Sequence, residues 1–377
     1  MDADKAPELD ELRRRLDSID GAILDLVCER LGVVEQVAKH KSREGARLFH
    51  RSREEELIGA RRDEARRRGV DPDAIENLFR QLILQSHRVQ SDVIRAARPT
   101  EKKTIAIIGG AGGMGRFFAR CFETLGHEVL IADVKTPLTP TDAAAKADVV
   151  MISVPIAVTV QVIEQVASKM RPDALLMDIT SLKEGPVEAM LRCFPGEVVG
   201  THPMFGPSAG ALHRQVVAFC PARGERWAQW LRSTLESEGA EVVNTTPKVH
   251  DSMMAIIQVL RHFATIAFGR TLADLGADVA ETLRYTSPIY RLELIMVGRL
   301  FGQDPELYAD IILKNARGPE ALEAHRRAVE ELAAIAARAD RSAFIEEFRR
   351  ISACFGDFRE RAMDESNYLI ERMVDRM

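Results

Sequence analysis

Cysteine is sparse and unpatterned. The five in 377 residues (Cys28, Cys121, Cys193, Cys220 and Cys354) are odd in number and include no C-x-x-C, so neither a disulfide framework nor a thiolate metal site is expected. Charge of one sign is also lacking: 52 Lys and Arg against 57 Asp and Glu leave a net charge of −5. That removes any overall electrostatic drive toward nucleic acid or an anionic membrane. Apolar runs such as Asp148 to Pro155 fall far short of the ~18 residues a membrane span needs. Asp2, Asp4 and Lys5 put charge where a signal-peptide core would begin. A cytoplasmic chain without membrane segments is therefore expected. Hydrophobic residues make up 46% of it, which excludes a disordered chain, and the length fits two or three domains at about 100 to 200 residues each.

Composition changes near residue 98. Residues 1–98 hold 20 Lys and Arg against 20 Asp and Glu, so the whole net charge lies beyond them. In this first segment Leu9, Leu12, Leu16, Ile19, Ile23, Leu26, Val33 or Val34, and Val37 repeat at helical spacing, predicting one amphipathic helix over about 8–41. At 1.5 Å per residue it is roughly 50 Å long, too long for so small a domain to cover, which favours a partner chain. A break at Ser42 to Gly45 and punctuation at Gly69 and Pro72 bound two further helices, 52–68 and 73–96. From Thr104 short β-branched runs alternate with helical stretches, the pattern of a doubly wound parallel sheet. After about Asn244 only helical patterns remain. The expected architecture is an all-α domain (1–98), a Rossmann-like α/β dinucleotide-binding domain (99–244) and an all-α C-terminal domain (245–377).

The run Thr104 to Ile108 leads into Gly109-Gly110-Ala111-Gly112-Gly113-Met114-Gly115 and then a helix, and Asp133 ends the next strand. G-x-G-x-x-G in this strand–loop–helix setting, answered by an acid, is the dinucleotide fingerprint. Gly110, Gly112, Gly113, Met114 and Gly115 would bring free N–H groups to a pyrophosphate at the positive helix end. Asp133 would accept the ribose hydroxyls and repel a 2′-phosphate, favouring NAD; nearby Lys135 softens that preference.

Three further segments carry chemistry. Thr201-His202-Pro203-Met204-Phe205-Gly206-Pro207 and Asp178-Ile179-Thr180-Ser181-Leu182-Lys183 each follow a strand, where such sheets deliver active-site groups. Ser287-Pro288-Ile289-Tyr290-Arg291-Leu292-Glu293 sets a cation in an apolar helical stretch. Together these motifs resemble the prephenate dehydrogenases of tyrosine biosynthesis, and the N-terminal segment resembles their usual fusion partner, an all-helical chorismate mutase. The resemblance covers nearly the whole chain. It implies that His202 takes the proton of the substrate's ring hydroxyl as hydride leaves for NAD and carbon dioxide is lost, that Ser181 orients His202, and that Arg291 binds a substrate carboxylate. It also implies substrate-side roles for Gln258, Arg261 and His262, the last linked with feedback by tyrosine; Arg261 and His262 could equally be solvated or interdomain residues.

The mutase reaction is a pericyclic rearrangement, needing cations for two carboxylates and donors for the ether oxygen. Resemblance implies that Lys41 and Gln90 meet the ether oxygen, while Arg13, Arg30, Arg53, Glu54 and Ser86 meet the carboxylates and hydroxyl. Independently of the family, Arg30 and Lys41 fall about 20° apart on the long helix and Arg13 some 80 to 100° away, whereas Ser86 and Gln90 share a face. Arg13 thus points elsewhere, as it would if it entered a partner's site in a homodimer. Where many relatives carry an acid this chain has His50. The substrates implied are chorismate and prephenate. Arogenate in place of prephenate, or a catalytically silent N-terminal module, are the alternative readings.

Overall fold

The computed structural model describes residues 9–44, 51–97 and 101–374; His50 and part of the 98–103 connector lie outside them. The N-terminal segment is three helices, α1 (Leu9–Glu44), α2 (Arg51–Arg68) and α3 (Pro72–Ala97). Gly69, with φ 70°, ends α2. Asp71 Oδ1 then accepts the Asp73 N–H at 2.9 Å to start α3. α1 packs on α3, yet its first half buries almost nothing: Leu9, Leu16 and Leu26 are 62, 59 and 64% exposed.

The central domain runs β1 (Thr104–Ile108), α4 (Gly113–Thr124), β2 (Glu128–Ala132), α5 (Pro140–Lys146), β3 (Val149–Ile152), α6 (Ile156–Ala167), β4 (Leu175–Asp178), α7 (Glu184–Cys193), β5 (Glu197–Pro203), β6 (Val216–Arg223), α8 (Arg226–Ser237) and β7 (Glu241–Asn244). The sheet order is β2-β1-β3-β4-β5-β6-β7. β1 to β5 are parallel, as expected, and the order reverses between β1 and β3, the crevice where such sheets bind nucleotides. Alternate strand residues face two cores: Ile105, Ile107 and Met151 meet Phe117, Phe118 and Phe122, while Ala106, Ile108 and Ile152 meet Ile163 and Val166.

β6 and β7 correct the all-parallel expectation. β6 pairs antiparallel with β5, and β7 is parallel to β6. Pro221 lies within β6, and a proline inside an apolar run argues against a strand. It is tolerated because it sits opposite Val199, where the ladder shifts register.

The helical region comprises α9 (Pro247–Met254), a π-helical turn (Ala255–Leu260), α10 (Arg261–Asp274), α11 (Val279–Thr282), α12 (Pro288–Phe301), α13 (Pro305–Leu313), α14 (Gly318–Ala337), α15 (Arg341–Phe355) and α16 (Phe358–Val374). Gly356, at φ 48°, separates α15 from α16. α9, the π turn and α10 form a continuous rod, 247–274, whose mean hydropathy of 1.3 and length would suffice for a membrane span, so contiguous apolar runs understated it. Gln258, Arg261 and His262 interrupt the rod, and it packs on α12, α13 and α14.

Candidate active sites

The glycine loop between β1 and α4 is packed against its own backbone and that following β3. At Gly109, φ is 83° and a Cβ would stand 2.3 Å from Ser153 O; at Gly115 it would stand 2.6 Å from Gly109 O. Side chains here would collide with backbone, so only glycine permits the tight turn and close helix packing that a dinucleotide loop needs, and the residues fit a dinucleotide. Asp133 faces the loop, its Oδ2 accepting the Ala111 N–H at 3.1 Å. Met114 packs its side chain toward the sheet core, which leaves its backbone for any ligand. Pro207 closes on the loop from β5, where a Cβ on Gly113 would come within 2.9 Å of it.

His202, at the end of β5, is 4% exposed. Its Nδ1 lies 2.9 Å from His250 Nε2, and His250 Nδ1 lies 2.7 Å from Asp251 Oδ1. Asp251 also accepts the backbone N–H groups of Lys183 and Glu184, both at 2.9 Å, which anchors it as the acceptor-only carboxylate. The tautomers follow in sequence. His250 donates from Nδ1 to Asp251, so its Nε2 accepts, so His202 donates from Nδ1 and keeps a lone pair on Nε2. Burial, then His250 and Lys183, hold the His202 pKa well below the usual imidazole range, so the ring is neutral at pH 7. A neutral imidazole with its lone pair fixed is a general base. Gln258 Nε2 lies 3.4 Å from that Nε2. Gln258 sits in the π turn, a local insertion often found at functional sites.

His250 and Asp251 were not singled out from sequence; an adjacent His-Asp pair opening the first helix after the sheet was the available signal. No hydrogen bond joins Ser181 to His202, whose nitrogens face His250 and Gln258 instead. The neighbouring Lys183 is fully buried against Asp178, which also accepts from the Thr180 N–H and hydroxyl. Gln258 Oε1 and His262 Nδ1 are buried and have no hydrogen-bond partners among the described residues. His262 packs edge-on against Tyr308, and burial lowers its pKa. Arg261 is exposed and reaches Thr265 of its own helix at 3.4 Å, so the structure does not bring it to His202. Arg291, on α12 against α10, is half-buried and has no side-chain hydrogen bond or ion pair among the described residues. Cys220 is no nucleophile, since burial pushes its thiol up to about 12.

In the helical domain, Arg30 Nη1 donates to Ser86 Oγ at 2.5 Å and to Leu82 O at 3.1 Å, joining α1 to α3. Burial lowers the Arg30 pKa. Lys41 is lowered by burial and then by Arg53, and raised by Glu54, so these three charges share one region. Gln90 is buried, and its Oε1 has no hydrogen-bond partner among the described residues. Arg53 is exposed. Arg13 is exposed as well and pairs with Asp10 at 3.3 Å, on the part of α1 that buries least.

A neutral strand-end base beside a nucleotide cradle, preceded by a helical domain gathering cations around buried amide and hydroxyl groups, defines a dehydrogenase fused to a helical mutase. Residues 12–91 match the family described as chorismate mutase type II, 125–244 the prephenate dehydrogenase nucleotide-binding domain, and 246–350 the prephenate dehydrogenase dimerization domain. The T-protein of Enterobacter agglomerans is 39% identical over 98% of both chains, and that of Haemophilus influenzae 36% over 97% of both. A crystal structure of prephenate dehydrogenase from A. aeolicus with hydroxyphenyl propionate and NAD+ shares the fold, with a TM-score of 0.56 at 18% identity over 68% of this chain and 98% of that one. The chain belongs to the T-protein family, the bifunctional chorismate mutase/prephenate dehydrogenases of tyrosine biosynthesis.

Proposed function

We propose that this chain rearranges chorismate to prephenate in the helical domain (1–98), then oxidises and decarboxylates prephenate to 4-hydroxyphenylpyruvate in the remainder (99–244 and 245–377). The cofactor is NAD, which accepts the hydride when bound at the glycine cradle. The observation that carries the dehydrogenase reading is the Asp251–His250–His202 chain, which leaves His202 Nε2 as the acceptor of the substrate's hydroxyl proton. Aromatisation supplies much of the driving force, so the protein contributes placement and charge. Arg291 binds a carboxylate, and the unsatisfied atoms of Gln258 and His262 meet the substrate. Ser181 and Arg261 are secondary contributors. Tyrosine, an end product of similar shape, would act as feedback inhibitor through His262.

In the mutase site, Lys41 and Gln90 donate to the ether oxygen, while Arg30, Arg53, Glu54 and Ser86 hold the carboxylates and hydroxyl. The exposed apolar stripe of α1 and the exposed Arg13 support a homodimer in which Arg13 enters the partner's site. The apolar rod 247–274 serves assembly of that dimer in the cytoplasm and not a bilayer. Incubating the protein with chorismate should yield prephenate alone, and with NAD added 4-hydroxyphenylpyruvate and carbon dioxide. Failure to turn over chorismate would make the helical domain a silent module, and faster oxidation of arogenate than of prephenate would reassign the second substrate.

A further inference from the structure

The loop joining β5 to β6 leaves the dehydrogenase active site at Pro203 and ends against the mutase domain. Its far end is firmly held: Leu212 is buried in the sheet core, and the Arg214 N–H donates to Gly239 O at 2.8 Å. Arg214 has a left-handed backbone (φ 58°), an uncommon state for a residue with a Cβ. Both side chains at this point engage the mutase. His213 Nε2 lies 2.7 Å from His87 Nδ1, His87 Nε2 lies 2.8 Å from Glu54 Oε1, and the Arg214 guanidinium pairs with the other oxygen of Glu54. Burial lowers the pKa of His87 and drives that of His213 down to about 4, so both rings are neutral at pH 7. The roles are then fixed as on the other side of the molecule. Glu54 accepts from His87 Nε2–H, and His87 Nδ1 accepts from His213 Nε2–H. Glu54 in turn supports the charge of Lys41.

We propose that His213 and Arg214, both in the dehydrogenase domain, are positioning residues for the mutase reaction, acting through Glu54. Each fixes one carboxylate oxygen, Arg214 directly and His213 through His87. The docked carboxylate is therefore oriented toward substrate only while the two domains are joined. The proposal rests on the reading of Glu54 as a mutase substrate residue.

The test uses full-length protein carrying Arg214→Gln, Arg214→Lys, His213→Leu, His213→Gln, Glu54→Gln, and Arg214→Gln with Glu54→Gln. Loss of a charge-assisted bond to a partly buried carboxylate should lower mutase kcat/KM by about tenfold in Arg214→Gln. Arg214→Lys should recover most of this, and His213→Gln, which keeps a donor, should exceed His213→Leu. The dehydrogenase KM values for prephenate and NAD should stay within about twofold of the parent in all of them. In the Glu54→Gln background the Arg214 substitution should add less than about twofold, because its route is already cut. Equal losses in both backgrounds would make Arg214 a structural residue and overturn the proposal, as would full mutase activity in Arg214→Gln when Glu54→Gln is impaired. Unchanged activity in Glu54→Gln itself would instead remove Glu54 from the mutase site, and the proposal with it.

Discussion

Replacing Asp251 by asparagine tests the base assignment at its root. The carboxylate makes three bonds: Oδ1 accepts from Lys183 N–H and His250 Nδ1, and Oδ2 from Glu184 N–H. An asparagine with its oxygen in the Oδ1 position keeps two of them and sets its amide N–H against the Glu184 N–H. Turned over, it keeps the Glu184 bond and donates to His250 Nδ1, which reverses the tautomer of both rings and takes the lone pair from His202 Nε2. The first orientation isolates the loss of charge and the second adds the loss of the base, so the charge term sets the smallest fall in rate. That charge matters when His202 takes the substrate proton, because the imidazolium formed is buried and His250 relays Asp251 to it.

A hydrogen bond to a charged group contributes about 1.5 to 3 kcal/mol, which at 1.4 kcal/mol per decade predicts a fall in kcat of roughly 10- to 150-fold. NADH appearance with saturating prephenate measures this directly. Mutase turnover, which does not involve His202, should be unchanged, and the KM for NAD should move by less than about twofold. A drop in kcat below about threefold in a folded variant would refute the argument that Asp251 supports the base.

Three other outcomes follow from the same structure. Asp133 faces the glycine loop, so kcat/KM with NAD should exceed that with NADP by at least about tenfold, or 1.4 kcal/mol, and Asp133→Ser should narrow the ratio; equal efficiencies in the parent would unseat Asp133. The His213 pKa is depressed in the folded chain from 6.5 to about 4 by burial, then by His87 and Arg214. Its contribution to stability is therefore fully present above pH 6.5 and is lost as pH falls toward 4. Denaturant titrations should find His213→Gln less acid-sensitive across that window, by no more than about 2 to 3 kcal/mol after solvent screening. Finally, Arg13→Ala and Lys41→Ala proteins, each weak as a mutase, should regain activity when their subunits exchange, since up to about half of the mixed population would hold one intact site; verified exchange without recovery would confine Arg13 to its own chain.

The parallel half of the sheet was legible because buried strands are short continuous apolar runs and their glycine loop has a fixed spacing. β7 was not, being a short edge strand with Glu241, Val243 and Asn244 exposed, and β6 was masked by Pro221. The sites divide along similar lines. His202 could be found because its motif is local. His250 and Asp251 could not, since their partner lies 48 residues upstream of His250 and only folding brings the rings together. The same holds for His87 and Arg214, which come from α3 and the β5–β6 loop to meet Glu54 of α2.

These two histidine chains share one electrostatic plan. Each begins at a carboxylate fixed by other donors, Asp251 by two backbone N–H groups and Glu54 by Arg214. Each passes through a buried imidazole to a second one, and the carboxylate decides which nitrogen carries each proton. On the proposed roles, the far end of the chain at Asp251 is the reactive atom, so the carboxylate sets a basicity. At Glu54 the carboxylate would itself be the group offered to substrate, with the imidazoles behind it holding its direction. A reaction that moves a proton requires the first arrangement, whereas a rearrangement that moves none is served by the second. The difference between the two chemistries is therefore visible in which end of the chain is free to meet a substrate.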